Sequence, residues 1–144
     1  VKRVVVDASV AIKWIVQEPD TPHALQLVAR SHLIAPDLLL AEFANVLSTK
    51  IRKGEFNLGS VDRAVEVLQN ARLAFSPMEP LMPMSIRLAQ RLQHPAYDCF
   101  YLALAQAEGC LLVTADQRFL RAVAAHGDAS HKAACLSLAD AATR

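Results

Sequence analysis

Followed for its hydrophobic and polar positions, the chain predicts strands and helices in alternation along its whole length. Val4–Val6 is a β-branched run, the pattern of a short strand buried on both faces. Helical patterns follow over Val10–Val16 and Pro22–Arg30, with Pro19 and Pro22 marking the break between them. Leu33–Ala35 predicts a second strand. Pro36-Asp37 then opens a helix from Leu38 to Lys53, with Asp37 as its N-cap. Lys50, Arg52 and Lys53 crowd the end where the helix dipole favours cations, and Gly54 stops the helix. Ser60–Ala71 is helical, Leu73–Ser76 predicts a third strand, and Leu81–Leu92 is helical again. After the boundary at His94-Pro95, a helix runs from Ala96 to Glu108, with Gly109 at its C-cap. Cys110–Val113 predicts a fourth strand, Gln117–Ala125 a helix, and Ala134–Leu138 a fifth strand at an edge.

Such alternation predicts one α/β domain over residues 1–144, a mainly parallel sheet with helices on both faces. A chain of 144 residues that is 53% hydrophobic can bury a sizeable core without staples. Its three cysteines, Cys99, Cys110 and Cys135, are odd in number, widely spaced and set in apolar runs. That excludes a disulfide framework or zinc site and fits reduced thiols in a cytoplasmic protein. The opening VKRVVVDAS lacks a signal-peptide pattern, and no apolar run is long enough to span a bilayer. The net charge of +1 excludes neither RNA nor a small molecule as substrate.

The acids carry more information. Asp7 directly follows Val4-Val5-Val6, and Asp116 follows Leu111–Thr114 by one residue. Two strands thus end in an acid on the same sheet edge, the carboxyl edge where open α/β sheets bind ligands. Either acid alone would serve as a helix N-cap. Asp98 sits in the first turn of a helix that is apolar nearly all round, so its charge needs a partner. Glu42 lies on the Leu38–Lys53 helix, where it lines up with Asn45 and Thr49 along one margin of the core face. Two carboxylates about 4 Å apart repel by roughly 4 kcal/mol at an effective dielectric of about 20. Four in one cleft call for a cation, and oxygen-only ligands select a hard one such as Mg²⁺ or Mn²⁺. Ser9 and Thr114 flank the strand-end acids and can add hydroxyl hydrogen bonds.

Four segments carry a family resemblance: Val5-Val6-Asp7-Ala8-Ser9, Glu42–Leu47, Tyr97–Ala105 and Leu112–Phe119. In order and spacing they resemble the PIN domain, and within it the VapC-type toxins of bacterial toxin–antitoxin modules. The resemblance implies a PIN-like three-layer sandwich with a five-stranded parallel sheet. It implies Mg²⁺- or Mn²⁺-dependent endonucleolytic cleavage of RNA, homodimers, and a cognate antitoxin that lies across the active site. Asp7, Glu42, Asp98 and Asp116 become metal ligands, directly or through water, with Ser9, Thr114 and Asn45 in support. Activated water would then displace the bridging 3′ oxygen in line and leave 5′-phosphate and 3′-hydroxyl ends. No histidine is needed, and His23, His32, His94, His126 and His131 are expected on the surface.

An RNA substrate needs cations beside the acids, and Lys13, Arg118 and Arg121 are the candidates. Lys50–Lys53 is a weaker one, because helix C-terminal charge explains it. Trp14, Ile15 and Val16 are open to a core role or an antitoxin contact, and the methionines of Pro77–Met84 to a core or dimer role. A haloacid-dehalogenase-like phosphatase would require an Asp where Ser9 stands. A phosphate receiver wants an early acidic pair, and a nucleotide site a Gly-rich loop; the chain has neither. The rival from another class is a catalytically silent PIN-fold module that binds a protein or RNA. Stabilisation by Mn²⁺ would separate the two.

Overall fold

Val4, Val5 and Val6 are buried in β1 (Lys2–Val6), the middle strand of a five-stranded parallel sheet. The computed structural model describes residues 2–144. The other strands are β2 (Ser31–Pro36), β3 (Ala74–Ser76), β4 (Leu111–Thr114) and β5 (Cys135–Ser137), in the order β3-β2-β1-β4-β5. In register, Val5 lies between Ile34 of β2 and Leu112 of β4. The chain steps outward from β1 to β2 to β3, then crosses back to place β4 on the other side of β1. Strand order therefore reverses between β1 and β4, which opens a crevice at their carboxyl ends.

Helices α1 (Ala8–Ala11), α2 (Thr21–Arg30), α3 (Leu38–Arg52), α4 (Val61–Asn70) and α5 (Met82–Leu92) precede the crossing. Helix α6 (Ala96–Glu108) makes the crossing and packs against β1, β2 and β4. Every residue from Cys99 to Ala105 is buried, as an apolar-all-round helix requires. Gly109 ends it with φ +64°, a left-handed conformation that glycine adopts without penalty. Because α6 runs back against the strand direction, its first turn lies at the carboxyl edge of the sheet. Helices α7 (Gln117–His126), α8 (Ala129–Ala134) and α9 (Leu138–Ala141) complete the chain. All but two of the buried apolar residues, Ala8 and Phe100, form one continuous cluster.

Several local expectations are corrected. The helix expected over Val10–Val16 is α1 followed by a 3₁₀ turn at Ile12–Trp14, because Asp7 starts the helix earlier. Asp37 makes no cap hydrogen bond with its side chain; the carboxylate instead accepts from the Met78 backbone N–H at 3.1 Å and ties α3 to the segment after β3. β4 begins and ends one residue later than expected, so Thr114 belongs to the strand. Trp14 is core, its Nε1 donating to the Ala24 carbonyl at 2.9 Å. Met82 and Met84 stand exposed on α5. The cysteines are free thiols, Cys99 buried and the other two half-buried. No helix among the described residues is long and apolar enough to cross a membrane.

Candidate active site

Asp7 leaves β1 and caps α1, accepting from the Val10 N–H at 3.2 Å. It is 5% exposed, and both of its carboxylate oxygens are occupied. Ser9 Oγ donates to Oδ1 at 2.5 Å and Thr114 Oγ1 donates to Oδ2. Ser9 also accepts from the Ala115 N–H, and Thr114 from the Asp116 N–H. Two hydroxyls thereby knit the ends of β1 and β4 together around one carboxylate. Asp116 caps α7 through Oδ1, which accepts from the Arg118 and Phe119 N–H groups at 3.0 and 3.2 Å. The helix-cap and cleft roles of these two acids are not alternatives; each acid has both.

Asp98 comes from the first turn of α6, and Glu42 from the second turn of α3. With Asp7 and Asp116 they line one cleft of about 550 Å³ at the crevice between β1 and β4. Ser9 and Asn45 line it as well, and Thr114 stands behind Asp7. Burial pushes the Asp7 carboxyl up to about 6, against the opposing hydrogen bonds of Ser9 and Thr114, and the Asp98 charge adds to the rise. Burial also raises Glu42, partly offset by Tyr101, with Asp98 and Asp116 repelling it further. Asp98 is raised by burial and by Asp116, while His94 and Arg118 hold it down. Asp98 thus acts on both Asp7 and Glu42, and Asp116 on both Glu42 and Asp98, as neighbouring charges in one cleft do.

Two holding residues were not foreseen. Tyr101, 1% exposed, donates its hydroxyl to Glu42 Oε1 at 2.5 Å. The His94 imidazole lies 2.5 Å from Asp98 Oδ2 and packs edge-to-face with the Phe119 ring at a centroid distance of 5.2 Å. His94 is therefore not a surface residue: its side chain is 8% exposed. His131 is buried too, in a capping box with Asp128. The signal available in sequence covers Tyr101 alone, which stands three residues after Asp98 on the same face of an apolar helix.

Lys13 does not face the cleft. It is buried and paired with Glu18 at 2.7 Å and Asp20 at 2.9 Å, which outweigh burial and raise its pKa. Its charge is consumed by those partners, so it drops out as an RNA contact. Arg118 and Arg121 are exposed on α7, and the Arg118 charge reaches Asp98.

Oxygen donors of this kind suit a hard cation. Asp98, Glu42 and Asp116 each keep one carboxylate oxygen without a protein partner among the described residues. Those oxygens are also not sealed from solvent. No group of three or more acidic, histidine or cysteine side chains among the described residues is arranged to enclose an ion. The fit is therefore to an ion that retains water and takes one or two carboxylates, the habit of Mg²⁺, rather than to a closed protein cage.

An acid-lined cleft at the switch point of a parallel sheet defines a doubly wound α/β protein whose candidate site lies where such folds bind their ligands. Residues 4–125 match the PIN domain family. The chain belongs to the PIN-domain family, in its VapC branch. Ribonuclease VapC9 of Mycobacterium tuberculosis is 31% identical over 115 residues, spanning 80% of this chain and 87% of that protein. The VapC ribonuclease Mb0985 of Mycobacterium bovis matches to the same extent. Ribonuclease VapC3 of M. tuberculosis is 31% identical over 124 residues, 84% of this chain and 88% of its own. The crystal structure of PAE2754 from Pyrobaculum aerophilum superposes with a TM-score of 0.68 across 100% of both chains. At 18% identity that likeness is one of fold.

Proposed function

We propose that this chain is a Mg²⁺- or Mn²⁺-dependent endoribonuclease, the toxin of a toxin–antitoxin pair acting in the cytoplasm. One observation carries the reading: Asp7, Glu42, Asp98 and Asp116, far apart in sequence, line a single cleft at the sheet's carboxyl edge. Relatives that bear the name ribonuclease over most of this chain support it.

Asp98, Glu42 and Asp116 would hold the cation through their free oxygens, with Asp7 beside them. A bound divalent ion supplies acidified water and neutralises charge on a phosphoryl oxygen. Ser9 and Thr114 keep the Asp7 carboxylate from turning, and Asn45 presents an amide from α3. Arg118 and Arg121 attract the phosphate backbone toward α7. Residues 1–144 act as one domain in this reading. Exposed Met82, Met84 and Ile86 on α5 give a homodimer apolar surface to cover. The apolar groove between α3 and α4, about 460 Å³ and lined by Leu40, Phe43, Leu58 and Val65, gives an antitoxin segment a place to lie.

A catalytically silent PIN-fold module that binds protein or RNA is the second reading, favoured only by the lack of a closed ligand shell among the described residues. Incubation with single-stranded RNA in Mn²⁺, against an EDTA control, separates the two. Internal cuts leaving 5′-phosphate and 3′-hydroxyl ends are expected. They disappear in EDTA and fall roughly 100-fold or more in Asp98→Asn. Absence of cleavage overturns the nuclease reading in favour of the silent module, and cleavage that persists in EDTA or in that variant overturns its assignment to a metal held by these acids.

A further inference from the structure

Tyr97 is the exposed aromatic side chain beside the acids. It is 64% exposed, although large aromatic rings are usually well covered. It precedes Asp98 in the first turn of α6 and lines the same cleft. Across that cleft, Leu38, Ala41 and Val46 come from one face of α3, interleaved with Glu42 and Asn45. The cleft thus combines two chemistries, its carboxylates standing beside an aromatic ring and an apolar wall. Its 550 Å³ exceeds what a hydrated ion and one phosphate fill, and falls among pockets of roughly 300–1,000 Å³ that hold small organic ligands.

We propose that Tyr97 and the Leu38–Ala41–Val46 wall form a slot for one unpaired nucleobase next to the scissile phosphate, with Asn45 addressing the base edge. The inference rests on the nuclease reading and adds to it a base-stacking site built on Tyr97. A base held in a duplex has its faces covered by neighbours and cannot enter such a slot. An exposed ring beside a phosphate site is the arrangement by which proteins hold single strands, because every base has a stacking face. Asn45 carries both a donor and an acceptor, so it can favour some bases over others.

The probe is a short single-stranded oligoribonucleotide containing 2-aminopurine, whose fluorescence is quenched when it stacks. Binding is followed with Ca²⁺ in place of Mg²⁺. The unmodified protein is expected to quench the probe, and Tyr97→Ala to lose the quench and bind roughly 5- to 150-fold more weakly. Tyr97→Phe and Tyr97→Trp retain both. The stabilisation of Tyr97→Ala by Mn²⁺ stays at the unmodified level, which shows that the fold and the acids are intact. Quenching and affinity unchanged in Tyr97→Ala, or equal binding of the probe in a duplex, overturns the slot. A chain that cuts RNA yet shows no Tyr97 dependence loses only the slot. A chain that quenches the probe through Tyr97 yet cuts nothing keeps the slot and loses the nuclease.

Discussion

Asp7 pays for its position in protonation. Its carboxyl stands at about 6 in the fold against 3.8 for the ordinary group, so between those values the folded chain holds a proton that the unfolded chain releases. The stability from this proton is fully present below 3.8 and is lost as the pH rises through about 6, a swing on the order of 3 kcal/mol. Glu42 and Asp98 are raised as well and act in the same direction. In EDTA, the midpoint of thermal unfolding is therefore expected to fall between pH 5 and pH 7. Asp7→Asn should flatten that fall, and a midpoint that rises over this range would contradict the assignment. Lys13 makes the opposite case. Buried between Glu18 and Asp20, it is a tie for the loop before α2. Lys13→Ala is expected to lose about 1–2 kcal/mol in urea unfolding, discounted for the partial exposure of both carboxylates. At this scale the sequence is most legible where chemistry and position coincide. Asp7 and Asp116 stand out because each ends an apolar run. Lys13 and His94 are opaque, since Glu18, Asp20 and Phe119 meet them only after folding.

Helix α6 organises the site as an element. Asp98 and Tyr101 project from it, and His94, just before its start, joins Asp98, so the group reaches α7 through Phe119 and α3 through Glu42. Each holding residue grips one oxygen of an acid and leaves the other to the cleft. Tyr101→Phe removes only the hydroxyl that grips Glu42. It is expected to weaken Mn²⁺ affinity roughly 10- to 100-fold while costing about 1 kcal/mol of stability. Calorimetric titration of Mn²⁺ checks this, and equal affinity in the variant would show that Glu42 needs no holder. The span of α6 was legible because its apolar run, proline start and glycine stop agree. Helices α8 and α9 were not, since six and four residues are too few to display a helical period. The early start of α1 follows from capping by Asp7, whose side chain accepts from the Val10 N–H and so places the helix start at Ala8.

Across the whole molecule, the topology converts scattered acids into neighbours. Parallel strands share one carboxyl edge, so acids after β1 and β4 meet at the switch point without any sequence proximity. A helix following β2 and another returning before β4 both begin at that edge, which brings in Glu42 and Asp98. The alternation of strand and helix made this architecture legible. Strand order was not legible from the residues themselves, because pairing depends on contacts between distant segments. The consequence is a cleft whose charge is tolerable only with protons or a cation.

Thermal unfolding at pH 7.5 during titration with Mn²⁺, for the unmodified protein and for Asp98→Asn, tests that consequence most directly. The unmodified protein is expected to gain stability as the ion saturates the cleft, by about 2.7 kcal/mol at one hundred times the dissociation constant. Asp98→Asn is expected to be the more stable of the two without the ion and to gain little from it. No response in either protein, or the same response in both, would contradict a site built from these four carboxylates.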